Sequence, residues 1–339
     1  FFTKLTQTNA TYNTNKTRNI MPIASSQIFY VVAESGTGKT FIGDYLEQYH
    51  DFQHIDGDLP LRTCDKPEIE KIVRKFITAM LKYPDLANPK NVDLYEETKE
   101  LWGPYYDHLA QNVLEASETH DKVVITFATC ANFMRTYFID KLKEGGAENI
   151  TMLVLSMDER KKLEGLYHRT IRQCQQMEFS LGDRMRMSGW DGEGEPTMEE
   201  YVVYSKEPGN LGAQIFEQPS KNLMKYTKFA DVTGRDVTAI DAVDTSIGLQ
   251  RASEDELRYE DIKTNVIARD KRRDEETPAN CMHLFQELQE EMAAALEGAN
   301  TEEEKKEIKK RASSIINMEV AARRFSILSI ASDTKDETQ

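Results

Sequence analysis

The 339-residue chain has no apolar run approaching the ~20 residues that a bilayer-spanning helix needs, which excludes an integral helical membrane protein. Cysteine is scarce: Cys64, Cys130, Cys174 and Cys281 lie far apart and form no CxxC pair. A structural zinc site or a disulfide scaffold needs closely spaced thiols, so neither is expected, and a reducing, cytoplasmic setting is the default. Positive charge is also in deficit, with 43 Lys and Arg against 58 Asp and Glu and a net charge of −15. That sign argues against a general nucleic-acid or anionic-membrane surface, since both would repel the protein as a whole. With 39% apolar and 30% charged residues, the chain is polar but can still bury a sizeable core and carry solvated helical extensions.

Acid is missing altogether from residues 1–26, which are rich in Thr and Asn and carry Lys4, Lys16 and Arg18. They read as a disordered tail, or as part of an organelle transit peptide if residues 1–20 serve that purpose. From residue 27 the pattern is strand, loop and helix in repetition. Ile28–Val32 is a short β-branched and aromatic run suited to a strand buried on both faces, and similar runs follow at 52–55, 123–127, 152–155 and, more weakly, 229–232. Helical stretches fall at about 39–49, 67–83, 93–118, 132–144 and 158–175. Five strands alternating with helices predict an α/β fold with a parallel sheet and right-handed crossovers over 27–250.

After 250 the character changes. Residues 251–276 are densely charged and read as a solvated helix or linker. Thr277-Pro278 then places a cap before a helix-starting proline, and Cys281, Phe285, Leu288, Met292 and Leu296 follow at helical spacing up to Gly298, a stop signal. Thr301 and Glu304 form a capping box for a second helix with Ile308, Ala312, Ile315 and Ile316 on one face. Residues 251–330 are therefore expected to be a linker and a helical hairpin whose apolar stripe needs a cover: the body, a second copy or a partner protein. Residues 331–339 are a polar tail.

The strongest chemical signal is Ala33-Glu34-Ser35-Gly36-Thr37-Gly38-Lys39-Thr40, set between the first strand and the first helix. A P-loop needs glycines so that successive backbone N–H groups point inward at phosphate oxygens, and the helix N-terminus adds its dipole. Ser35, Gly36, Thr37 and Gly38 are the cradle. In such a loop Lys39 would reach the β- and γ-phosphates, and the Thr40 hydroxyl would ligate Mg²⁺. Ala33 stands where the strict pattern has Gly, a mild departure because Gly36 and Gly38 make the tight turns.

From these residues the chain resembles the gluconokinase and shikimate kinase group of P-loop kinases. Gly36–Gly43 followed by Tyr45-Leu46 is similar to the group's GxGKSTIG..L opening, and Ile55-Asp56-Gly57-Asp58 to its DGD element. Glu100–Tyr105 sits where gluconokinases have a D-R-x-P-W-like segment, and Val123–Tyr137 resembles their VVxACSALKRxYR stretch. The likeness spans about residues 27–248. It implies ATP and Mg²⁺ as cofactors, Asp56 as a second metal ligand, and Asp58 as the acid that accepts the proton of the acceptor hydroxyl. It also implies Arg135 as a substrate contact, and Arg169 and Arg172 as lid cations on the transferring phosphoryl, with Arg184 and Arg186 as alternatives. The loop Asp231–Asp236, with Arg235, is similar to the one that covers adenine. Two family cations fall on Met134 and Phe138, and the insertion at about 168–226 is longer than the family's lid.

The expected function is a Mg-ATP-dependent phosphotransferase acting on a hydroxyl of a small, sugar-acid-like metabolite. A kinase-fold scaffold or subunit working through its C-terminal helices is the second reading. A nucleoside monophosphate kinase is the third, weakened because the DGD element suits a hydroxyl acceptor.

Overall fold

The computed structural model describes residues 22–58, 66–82, 92–176, 180–187, 190–207, 210, 215–234, 236–250, 252, 258–259, 261–264, 294, 298, 301 and 304. Within these, five strands form one parallel sheet: β1 (Gln27–Val32), β2 (Gln53–Asp56), β3 (Lys122–Phe127), β4 (Asn149–Ser156) and β5 (Thr227–Asp231), in the order β2-β3-β1-β4-β5. Helix α1 (Lys39–His50) follows β1. Between β2 and β3 lie α2 (Pro67–Lys82), α3 (Val92–Glu97) and α4 (Lys99–Ser117), and α5 (Asn132–Glu144) joins β3 to β4. After β4 come α6 (Glu159–Gln176), α7 (Leu181–Met187), α8 (Met198–Ser205) and the short α9 (Lys221–Met224), and α10 (Val237–Ile247) follows β5. This is the expected P-loop kinase-like α/β fold.

The central strand shows why the pattern specifies it. Side chains alternate across a strand. Ile28, Tyr30 and Val32 enter a core with Val73, Trp102, Tyr106 and Phe138 from α2, α4 and α5. Phe29 and Val31 enter the opposite core with Ile42, Tyr45, Ile240 and Val243 from α1 and α10. Each large apolar side chain so buried contributes roughly 1.5–3 kcal/mol. On the second face His54 is wedged against Gly43, where any side chain would collide with its ring. Its two ring nitrogens are engaged by Asp44 Oδ1 at 2.8 Å and Thr126 Oγ1 at 2.9 Å. Asp44, Glu47 and His54 are close enough to share an ion, but this imidazole is already a packed and bonded part of the core.

One expectation needs correction. The single helix over 93–118 is broken at Thr98, and just before the break the Tyr95 carbonyl accepts the Trp102 indole N–H at 3.0 Å. The insertion after β4 builds a core of its own. Leu181, Met185, Tyr201 and Val202 from α7 and α8 build a third core on Leu163, Leu166 and Cys174 of α6. Thr197 and Glu200 cap α8 reciprocally.

Of the C-terminal hairpin, most of residues 277–325 lies outside the described residues, as do residues 1–21 and 331–339. The predicted capping box is present: Thr301 N–H donates to Glu304 Oε2 at 3.0 Å, and Glu304 N–H to Thr301 Oγ1 at 3.1 Å. Gly298 is still helical, so the break before this second helix comes after it. Among the described residues no helix is long and apolar enough to cross a membrane.

Candidate functional site

The loop Ala33–Thr40 crosses the carboxyl end of the central strand, where strand order reverses and open α/β sheets leave a crevice for ligands. Gly36 and Gly38 take φ of +85° and +94°, the left-handed region that side chains rarely adopt. Gly36 meets a second demand, because a Cβ there would lie 2.8 Å from Leu166 Cγ of α6. Lys39 opens α1 directly after Gly38, and its ammonium donates to the Ala33 and Glu34 carbonyls, both at 3.0 Å. The loop is thereby closed on itself. Burial holds the Lys39 ammonium below the usual lysine range, opposed first by the charge of Asp58 and then by Cys130 and Asp56, with Arg169 adding to the lowering. Lys39 therefore shares one electrostatic neighbourhood with Asp58, Cys130, Arg169 and Asp56.

Asp56 ends β2 and is buried. Its Oδ1 accepts the Asp58 N–H at 3.0 Å, the Gly57 N–H donates to the Thr126 carbonyl at 2.9 Å, and Tyr105 Oη donates to the Gly57 carbonyl at 2.6 Å. The two-carboxylate turn is fixed from three sides. Because β3 lies between β1 and β2, anything that spans Lys39 and Asp58 must lie over the loop after β3, residues 128–131.

Helix α6 covers the phosphate loop from the other side. Lys162 is ion-paired with Glu34, Leu166 rests on Gly36, and Lys161 donates to the Thr233 carbonyl at 2.6 Å. One turn further, half-buried Arg169 faces Lys39, while Arg172 is exposed. The structure thus brings Arg169 to the loop and leaves Arg172 in solvent. Arg186 is taken up inside the insertion by Asp183 at 2.6 Å and the Gly194 carbonyl at 3.0 Å. Arg235 lies outside the described residues, and its neighbour Asp236 pairs with Lys263 at 2.7 Å.

Arg135, expected to touch substrate, is fully buried. Its Nε donates to the Thr129 carbonyl at 2.8 Å, Nη1 to Asn132 Oδ1 at 3.2 Å and the Glu217 carbonyl at 2.6 Å, and Nη2 to the Cys130 carbonyl at 2.6 Å. Phe216 stacks on the guanidinium at 4.0 Å. It is the clamp of the β3–α5 loop.

The residues present fit a magnesium nucleotide. Two positive-φ glycines allow the tight turns of a phosphate cradle, with open space at Gly38, and Thr40 and Asp56 offer hard oxygen donors of the type that Mg²⁺ prefers. Sequence reasoning missed Glu34, Lys162 and Glu217. Glu34 occupies a variable position of the motif, and its partner lies 128 residues away, a separation with no local signal.

No family model matches the chain, and no curated protein matches it. Among solved structures the chain is similar to a gluconokinase from Sinorhizobium meliloti 1021, with 16% identity over 66% of this chain and 91% of that one and a TM-score of 0.35. A sugar kinase from Janibacter sp. HTCC2649 is similar at 16% identity, covering 66% of this chain and 95% of that one, with a TM-score of 0.33. The tunicamycin resistance protein of Deinococcus radiodurans is similar at 13% identity, covering 67% and 99%, with a TM-score of 0.32. Likeness this distant carries nothing about substrate.

Proposed function

We propose that the protein is a Mg-ATP-dependent phosphotransferase whose acceptor is a hydroxyl group of a small metabolite. The observation that carries the reading is the convergence on Lys39 of a glycine cradle, the Asp56–Asp58 turn and Arg169. Bound Mg-ATP would supply the phosphoryl group and neutralise part of its charge. The chain's own residues do the rest by positioning and charge. Gly36 and Gly38 would let the backbone approach the phosphates, Lys39 and Arg169 would face them, and Thr40 and Asp56 would hold the metal. Asp58, fixed beside Asp56, accepts the proton of the attacking hydroxyl. Arg172, on the exposed turn after Arg169, reaches the phosphates only if α6 turns inward, and Arg235 is assigned to the adenine side.

The sugar-acid acceptor suggested by the resemblance is not carried forward, because Arg135 is committed to the loop it clamps. The test is a panel of sugar acids, polyols and nucleoside monophosphates assayed for acceptor-stimulated ADP release. A hydroxyl acceptor that raises the rate above a Lys39→Ala background supports the reading. Its absence across the panel favours a retained fold serving as a scaffold.

A further inference from the structure

The loop after β3 is the floor of the space between Lys39 and Asp58, and it is not left bare. Residues 216–218, from the segment that leads into α9, lie against it. The Glu217 N–H donates to the Cys130 carbonyl at 2.9 Å, and the Glu217 carbonyl accepts from Arg135 at 2.6 Å. The Glu217 side chain turns to the start of α5, where its Oε2 accepts the Asn132 N–H at 2.6 Å. The Asn132 side-chain amide in turn donates to the Gln218 carbonyl, and Phe216 covers the Arg135 guanidinium.

The first N–H groups of a helix and an arginine in its first turn are the equipment with which a protein receives an anion. Here α5 has both, and Arg135 is the only cation in its first two turns. The chain's own acceptors engage both: the Glu217 carboxylate on the first of these N–H groups, that of Asn132, and three backbone carbonyls with the Asn132 side-chain oxygen on the guanidinium. A second carboxylate brought to this floor would meet Glu217, with Asp56 and Asp58 on its β2 side. An acceptor without charge meets no such repulsion. Like charges in a partly desolvated site discriminate strongly.

We propose that Glu217 serves as a built-in occupant of the anion-receptive end of α5, so that the acceptor face admits neutral hydroxyl compounds and rejects carboxylate-bearing ones. The consequence for substrate class rests on the phosphotransferase reading, whereas the occupancy itself does not. A matched pair of probes tests it: gluconate and sorbitol, six-carbon chains that differ at one end by a carboxylate. Each is titrated calorimetrically into the full chain, without nucleotide and again with Mg²⁺ and a non-hydrolysable ATP analogue.

Wild type is expected to bind gluconate no more tightly than sorbitol. Glu217→Ala should raise gluconate affinity at least tenfold while changing sorbitol less than twofold. Glu217→Gln keeps an acceptor for the Asn132 N–H and so preserves the strap. It should give a smaller gain in the same direction, which protects the test if the alanine variant folds poorly. Wild type preferring gluconate, or gluconate affinity the same in both variants as in wild type, overturns the proposal. Failure of wild type to bind the nucleotide analogue is a separate result. It removes the phosphotransferase reading, and the occupancy is then judged on the nucleotide-free titrations.

Discussion

Lys162 of α6 and Glu34 of the phosphate loop form an ion pair in which the lysine side chain is only 5% exposed and the glutamate 26%. The pair joins the helix that carries the insertion to the loop that would hold phosphate. It makes one mechanical unit of two segments 128 residues apart in sequence. Breaking a buried pair from one side typically costs about 3–5 kcal/mol, because the remaining charge is left without compensation. Glu34 keeps some solvent, so Glu34→Gln is expected to lower the unfolding free energy by about 2 kcal/mol, at or below the low end of that range. Glu34→Gln with Lys162→Met should recover at least half of the loss. Urea denaturation measures both, and a single variant within ~0.5 kcal/mol of wild type contradicts the pair's role.

Gly36 and Gly38 should differ when replaced. Both have positive φ, so alanine at either carries a backbone penalty of about 1–2 kcal/mol. At Gly36 the added methyl also meets Leu166, whereas nothing lies within 4 Å of the position it would take at Gly38. Gly36→Ala is expected to be the more destabilising, and Leu166→Ala in the same chain to remove the difference. Equal melting temperatures for the two single variants would show that α6 does not rest on the loop.

Strands and the phosphate loop were legible because their determinants are local. Ile28–Val32 is apolar without a break since both its faces are buried, and Gly36 and Gly38 stand out because their backbone angles admit little else. β5 was weaker, since as an edge strand it leaves Lys228 and Phe229 exposed and lacks a clear pattern. The capping box at Thr301 and Glu304 was readable for the same local reason. The roles of Arg135, Lys162 and Glu217 were not. An arginine three residues into a helix looks the same whether it faces a ligand or a carbonyl, and what decides is a segment 82 residues away.

Chemistry separates the two aspartates. General-base assistance is typically worth about 10²–10⁴-fold, so Asp58→Asn is expected to slow acceptor-dependent turnover by that order with little change in nucleotide affinity. Asp56→Asn acts through the metal and should raise the Mg²⁺ concentration needed for half-maximal rate. Steady-state kinetics with Mg²⁺ titration distinguishes them. An Asp58→Asn enzyme as fast as wild type removes the base assignment alone.

Burial lowers the Lys39 pKa in the folded chain, and this has a sign in stability. Between the lowered value and the ordinary ~10.4, the unfolded chain binds the proton and the folded chain has released it. Stability of the ligand-free protein therefore rises with pH across that window, and Lys39→Met should flatten the rise. Measurements belong below pH ~10, before tyrosines ionise in the unfolded chain. Above that pH Tyr30 and Tyr106, held protonated by burial, act in the opposite direction. A slope that is the same with and without Lys39 contradicts this.

The central claim is that the loop from Ala33 to Thr40 binds a nucleotide's phosphates through Lys39. Isothermal titration of Mg-ATP into the wild-type chain and into Lys39→Ala tests it most directly. The expected result is saturable binding to a single site in wild type, weakened at least tenfold in the variant. Absence of binding to wild type, or equal affinity in both proteins, would contradict the account while leaving the fold as described.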